Sequence, residues 1–74
     1  MRYAVVIERA KGNYSAYVPV LPGCVTTGST IEEVERNLEE AIALHLDGLR
    51  EDGSPIPIPS TIVEYLDSPA LSVK

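Results

Sequence analysis

From Ser29 to Gly53 the chain carries Ile31, Val34, Leu38, Ala41, Ile42 and Leu49 at helical spacing, with His45 on the same stripe. Glu32, Glu33, Arg36, Glu39, Glu40, Asp47 and Arg50 take the opposite side. Glu32–Arg36 and Arg36–Glu40 are i,i+4 pairs, worth a few tenths of a kcal/mol each. Two capping boxes overlap at the start, because Ser29 precedes Glu32 by three and Thr30 precedes Glu33 by three. Gly53 followed by Pro55 is a stop signal. One long amphipathic helix has one apolar stripe to bury, and the residues before it must supply the covering layer.

Those residues alternate with a period of two. In the stretch 2–9, Tyr3, Val5 and Ile7 share one face, and Arg2, Ala4, Val6 and Glu8 the other. Ala10-Lys-Gly-Asn13 is a turn, with Gly12 and Asn13 suited to positive φ. The stretch 14–20 returns with Tyr14, Ala16, Val18 and Val20 on one face and Ser15, Tyr17 and Pro19 on the other. Pro19 cannot donate to a ladder, so the strand ends there or runs along an edge. Pro22-Gly23 is a second turn, and Cys24 to Thr27 a short third strand. The expected fold class is α+β: a three-stranded antiparallel meander under one long helix, in two layers.

Beyond the helix, Pro55-Ile-Pro-Ile-Pro59 is expected to be extended, with its isoleucines docked on the body. Ser60 and Thr61 fit the cap of a short helical turn through Tyr65 or Leu66, and Thr61-Ile-Val fits a strand nearly as well. Ala70 to Val73 fits a last short strand, completing a β-β-β-α-β order.

A chain of 74 residues makes one domain, 1–74, with a modest core. At that size folding buries only about 60% of the unfolded surface. One cysteine excludes an internal disulfide, and one Cys with one His cannot complete a four-ligand zinc site. Association is the remaining source of stability, and the sheet face away from the helix, with Ala4, Val6 and Tyr17, is apolar enough to invite it. The net charge of −5 opposes direct nucleic-acid binding. Residues 1–30 hold three bases against one acid and residues 31–74 three bases against ten acids, an asymmetry suited to a basic protein partner. No stretch is long and apolar enough for a membrane span or a signal peptide, so a cytoplasmic protein with a reduced thiol is expected.

Catalytic constellations are thin. A reactive Cys24 needs a base or a cation beside it, and the one imidazole, His45, lies on the apolar stripe. Both residues fit a structural role better than a thiol dyad. The acids from residue 32 onward are interleaved with arginines on the solvent side of the helix instead of converging on a metal. Gly23 and Gly28 do not have phosphate-loop spacing. No catalytic residue, metal site or cofactor is expected.

Tyr14-x-Ala16-Tyr17-x-Pro19-x-Leu21-Pro22-Gly23-Cys24-Val25-Thr26-x-Gly28-x-Thr30-x-Glu32-Glu33 is followed by Asn37, Glu40-Ala41-Ile42 and Leu49-x-Glu51-Asp52-Gly53-x-Pro55-Ile56-Pro57. This pattern closely resembles the HicB-like antitoxin family over roughly residues 2–60. The resemblance implies a partial ribonuclease-H-like domain without that fold's metal-binding acids. It also implies a HicA-like toxin as partner, a small basic ribonuclease whose active surface the antitoxin masks, and a homodimer or dimer of dimers. Two positions depart from the family pattern: Val20 stands where Asp is usual, and Ser29 replaces the Asp of Gly-Asp-Thr. Many relatives continue into a DNA-binding domain, which is not expected in this chain, nor is nucleic-acid binding by it alone.

The leading reading is therefore an antitoxin-like protein-binding module and not an enzyme. The alternatives are a small hydrolase or thiol enzyme using Cys24 and His45, and a homo-oligomeric scaffold or small-ligand sensor. Val6, Tyr17, Pro19, Leu21 and Pro22 are the candidate partner or self-association surface. Gly23, Cys24, Ser29, Thr30 and His45 are read as structural.

Overall fold

The computed structural model describes residues 1–69. Strands β1 (Val6–Ala10), β2 (Asn13–Tyr17) and β3 (Val25–Gly28) precede helix α1 (Ile31–Glu51). The sheet is antiparallel in the order β1-β2-β3, and α1 lies on one face of it, giving the two-layer α+β arrangement. Ala10 pairs with Asn13 across the first turn, where Gly12 takes a φ of 81°.

The register sorts the side chains. Ile7 faces Ala16, and Ala16 faces Thr26, on the helix side. The core is Ala16, Val18, Leu21, Cys24, Val34 and Leu38, with Tyr3, Ile7, Tyr14, Val20, Ala41, Ile42 and Leu46 packed around it. Full burial of a Leu or Val side chain contributes about 1.5–3 kcal/mol, so Leu21, Val18 and Val34 anchor the structure.

β1 starts later than the alternation suggested, at Val6 instead of Arg2, and β2 stops at Tyr17. The cause lies in the loop after β2. The Val18 N–H donates to the Cys24 carbonyl (3.1 Å) and the Val18 carbonyl accepts from the Leu21 N–H (3.0 Å). The Val18 backbone therefore faces the β3 side and the turn, and Pro19, the next residue, has no N–H to donate to a ladder with residues 1–5.

The helix ends are closed locally. Thr30 is the N-cap, and its hydroxyl accepts from the Glu33 N–H at 3.0 Å. Glu33 Oε1 accepts from the Ser29 N–H at 2.7 Å. Of the two overlapping boxes the second forms, so the capping role read for the Ser29 side chain falls to Thr30. At the far end Gly53 (φ 70°) donates to the Arg50 carbonyl and Ser54 to the Leu49 carbonyl, a Schellman closure.

The C-terminal third differs from expectation. Residues 60–66 are neither helix nor strand. A single turn opening on β-branched Thr61, Ile62 and Val63 is too short to sustain a helix alone, and no neighbouring strand pairs with it. Ile56 is half-buried, but Ile58 is 77% exposed and does not dock. The strand read at residues 70–73 lies outside the described residues.

Candidate protein-interaction surface

The loop between β2 and β3 is two consecutive turns. After the Val18–Leu21 turn, the Cys24 N–H donates to the Leu21 carbonyl at 3.0 Å. Pro22 and Gly23 are its central residues, and the Gly23 φ of 85° is the signature of a type II turn. This geometry drives Leu21 and Cys24 into the core, at 0% and 3% exposure, and leaves Pro19, Pro22 and Gly23 outside. Leu21 is therefore a core residue, and its place in the candidate surface is withdrawn.

Cys24 is surrounded by apolar core side chains, and burial pushes its thiol above the usual range. At neutral pH it is a protonated thiol. His45 is half-buried on α1, whereas its neighbour Leu46, absent from the sequence-derived stripe, packs on the core. Among the described residues no group of three or more His, Cys, Asp or Glu side chains is placed to hold a metal ion. No helix among them is long and apolar enough to cross a membrane.

Among the described residues no helix or strand packs on the sheet face away from α1. Val6 pairs with Tyr17, and Tyr17 with Val25, so the three side chains form one cross-strand row on that face. Tyr17 is 42% and Val25 60% exposed. Val25 was missed in the sequence because membership in the row depends on register, although its alternation with buried Cys24 was a usable signal. Glu8, Ser15 and Thr27 make the next row and turn the face polar. Of the residues read from the sequence, Tyr17, Pro19 and Pro22 are exposed and Val6 is half-buried, and Val25, in the same row as Tyr17, is exposed too.

On the opposite side of the molecule, exposed Glu32, Glu35, Glu39, Glu40 and Asp47 line α1. Only Arg50 answers among the described ion pairs, to Asp47 at 3.0 Å. That pair is surface-exposed and contributes little to stability.

Fold and surface together define a small α+β domain, helix on one face of a three-stranded meander and a partly apolar row on the other. A model of the family described as the HicB-like antitoxin of bacterial toxin–antitoxin systems matches residues 3–72. The chain belongs to the HicB-like antitoxin family. It is 36% identical over 69 residues to an uncharacterized 14.9 kDa protein from the rep–hol intergenic region of Haemophilus phage HP1, covering 93% of this chain and 52% of that protein. It is 34% identical over 71 residues to antitoxin HicB 2 of Photorhabdus laumondii, covering 95% of this chain and 51% of that one. The chain thus spans about half the length of both relatives. Among solved structures, a chain of the HicA3–HicB3 toxin–antitoxin complex superposes with a TM-score of 0.69 at 32% identity, covering 81% of this chain and 70% of that chain.

Proposed function

We propose that this chain is a non-enzymatic antitoxin module that binds and masks a HicA-like, mRNA-cleaving toxin in the cytoplasm. The observation that carries the reading is the likeness, in both sequence and fold, to a chain of the HicA3–HicB3 complex. The buried, protonated Cys24 and the solvent-facing acids of α1 agree with it, since neither supplies an evident reactive constellation. A chain of net charge −5 also suits a basic partner.

The outer sheet face is the proposed contact. Tyr17 and Val25 offer apolar area on a rigid strand pair, with Pro19 and Pro22 at its end and Glu8 beside it. A half-exposed Tyr on a sheet is a typical anchor residue at such interfaces. No cofactor takes part in this reading.

The test is co-expression with a small basic HicA-like protein encoded beside this one. A stable complex on gel filtration, together with relief of the toxin's growth arrest, is expected. Tyr17→Asp and Val25→Asp, both at exposed positions, should weaken the complex at least tenfold without unfolding the chain. A toxin that stays free and active in the presence of the folded chain would sink the reading.

A further inference from the structure

After Pro59 every described residue, 60 through 69, is exposed. Ile62 (81%), Tyr65 (93%) and Leu66 (88%) are nearly bare, and Ile58 and Val63 are exposed beside them. So dense a run of large apolar side chains in water marks an interaction segment. Among the described residues, no backbone hydrogen bond engages residues 60–69. Thr61-Ile-Val-Glu-Tyr-Leu66 is rich in β-branched and aromatic residues and holds no proline. When extended it sets Ile62, Glu64 and Leu66 on one side.

Charge narrows what can cover this arm. Residues 51–69 hold Glu51, Asp52, Glu64 and Asp67 and no Lys, Arg or His. The groove between residues 1–5 and α1 has Tyr3, Val5, Leu38 and Ile42 on its floor, but Glu35 and Glu39 wall it against the single Arg2. Two carboxylates to one guanidinium make it a poor seat for an acidic segment. Two chains of net charge −5 also repel each other. An open sheet edge on a basic protein, flanked by Lys and Arg, complements both the carboxylates and the free backbone groups of the arm.

The arm leaves the body from a stiff stem. Tyr3 Oη donates to the Pro57 carbonyl at 2.7 Å, tethering the stem next to the residues that lead into β1. Pro55, Pro57 and Pro59 fix φ and hold Ser54, Ile56 and Ile58 extended. Extended, residues 60–69 reach about 30 Å, against about 10 Å across a three-stranded sheet. A partner seated on the outer sheet face is within that span.

We propose that this arm is a second contact for the basic toxin: Thr61-Ile-Val-Glu-Tyr-Leu66 adds as a strand to an open, Lys- and Arg-flanked sheet edge of that protein. Ile62 and Leu66 pack on its apolar side chains, and Glu64 between them meets a base. The inference rests on the function proposed above, which supplies the basic partner, and adds how the chain holds it. Two contacts joined by a short stem gain about 10²–10⁴ in affinity over either alone when the geometry lets both engage.

The experiment uses the full chain and the HicA-like protein encoded beside it. Calorimetry should show binding weakened at least about tenfold by Ile62→Ser with Leu66→Ser. Glu64→Lys with Asp67→Lys should also weaken it, by a factor that shrinks at high salt. All four side chains are exposed, so the helical circular dichroism should stay in place. Amides of residues 61–66 should exchange freely in the chain alone and become protected in the complex. Three results would overturn the proposal: arm amides unprotected in the complex, parent-like affinity in both variant pairs, or protection already present without toxin. The last would place the arm on its own body or on a second copy. A parent chain that binds no toxin refutes the proposed function and this inference with it, whereas a parent that binds no better than its arm variants removes the arm contact alone.

Discussion

At Gly28 the sheet and helix approach each other closely. It faces Tyr14 across β3–β2 in an extended, strand-compatible conformation, so an alanine there meets no backbone strain. Space is the obstacle. A Cβ on Gly28 would lie 2.6 Å from the Val34 nitrogen, 2.8 Å from its Cα and 3.0 Å from its Cβ. Two of those atoms are backbone in the first turn of α1, and Val34 is itself fully buried. No side chain can swing away, so β3 and α1 must separate. Gly28→Ala is expected to lower stability by about 1–3 kcal/mol, the range for overpacked cores, after a small gain from stiffening the unfolded chain. Gly48, inside α1 with nothing within 4 Å of the added methyl, is the control. Gly48→Ala should raise stability by about 1 kcal/mol. Urea denaturation followed by far-ultraviolet circular dichroism, at one protein concentration so that association does not confound the comparison, reads both. In thermal melts the shift should be about 4–8 °C per kcal/mol. A Gly28→Ala protein as stable as the parent would refute the close approach of β3 and α1.

Other expectations follow from single contacts. Thr30→Ala should cost about 1 kcal/mol, whereas Ser29→Ala should stay within about 0.5 kcal/mol because Ser29 contributes its backbone N–H and not its hydroxyl; denaturant midpoints of the two variants decide it. Asn37 Nδ2 donates to the Thr27 carbonyl at 2.9 Å, tying α1 to β3, and Asn37→Ala should lower the midpoint by the equivalent of about 0.5–1.5 kcal/mol. Cys24 should react with a disulfide reagent far more slowly in the native than in the denatured protein at neutral pH. Its raised pKa has a definite sign in stability. The unfolded thiol loses its proton first, so the contribution is complete below the ordinary thiol pKa and is lost as pH rises through the folded one. Stability of the parent should fall more steeply on the alkaline side than that of Cys24→Ala; equal slopes would count against a buried thiol.

What the sequence determined by itself is what depends on neighbours within about four residues. The helical period, the two candidate caps, the Gly53 stop and the Pro22-Gly23 turn are all short-range properties, and the helix lies where they place it. The alternation in the first 28 residues likewise fixed which side chains share a face. Tertiary structure decided whatever needed a distant partner. Strand β1 starts at Val6 because its pairing with β2 stops at Tyr17, where the chain turns toward Cys24. Leu21 went inward because that turn points it there, and Val25 joined Tyr17 through register. Residues 60–66 show the same division most plainly. Their composition suits a strand, but a strand exists only beside another, and among the described residues none pairs with them.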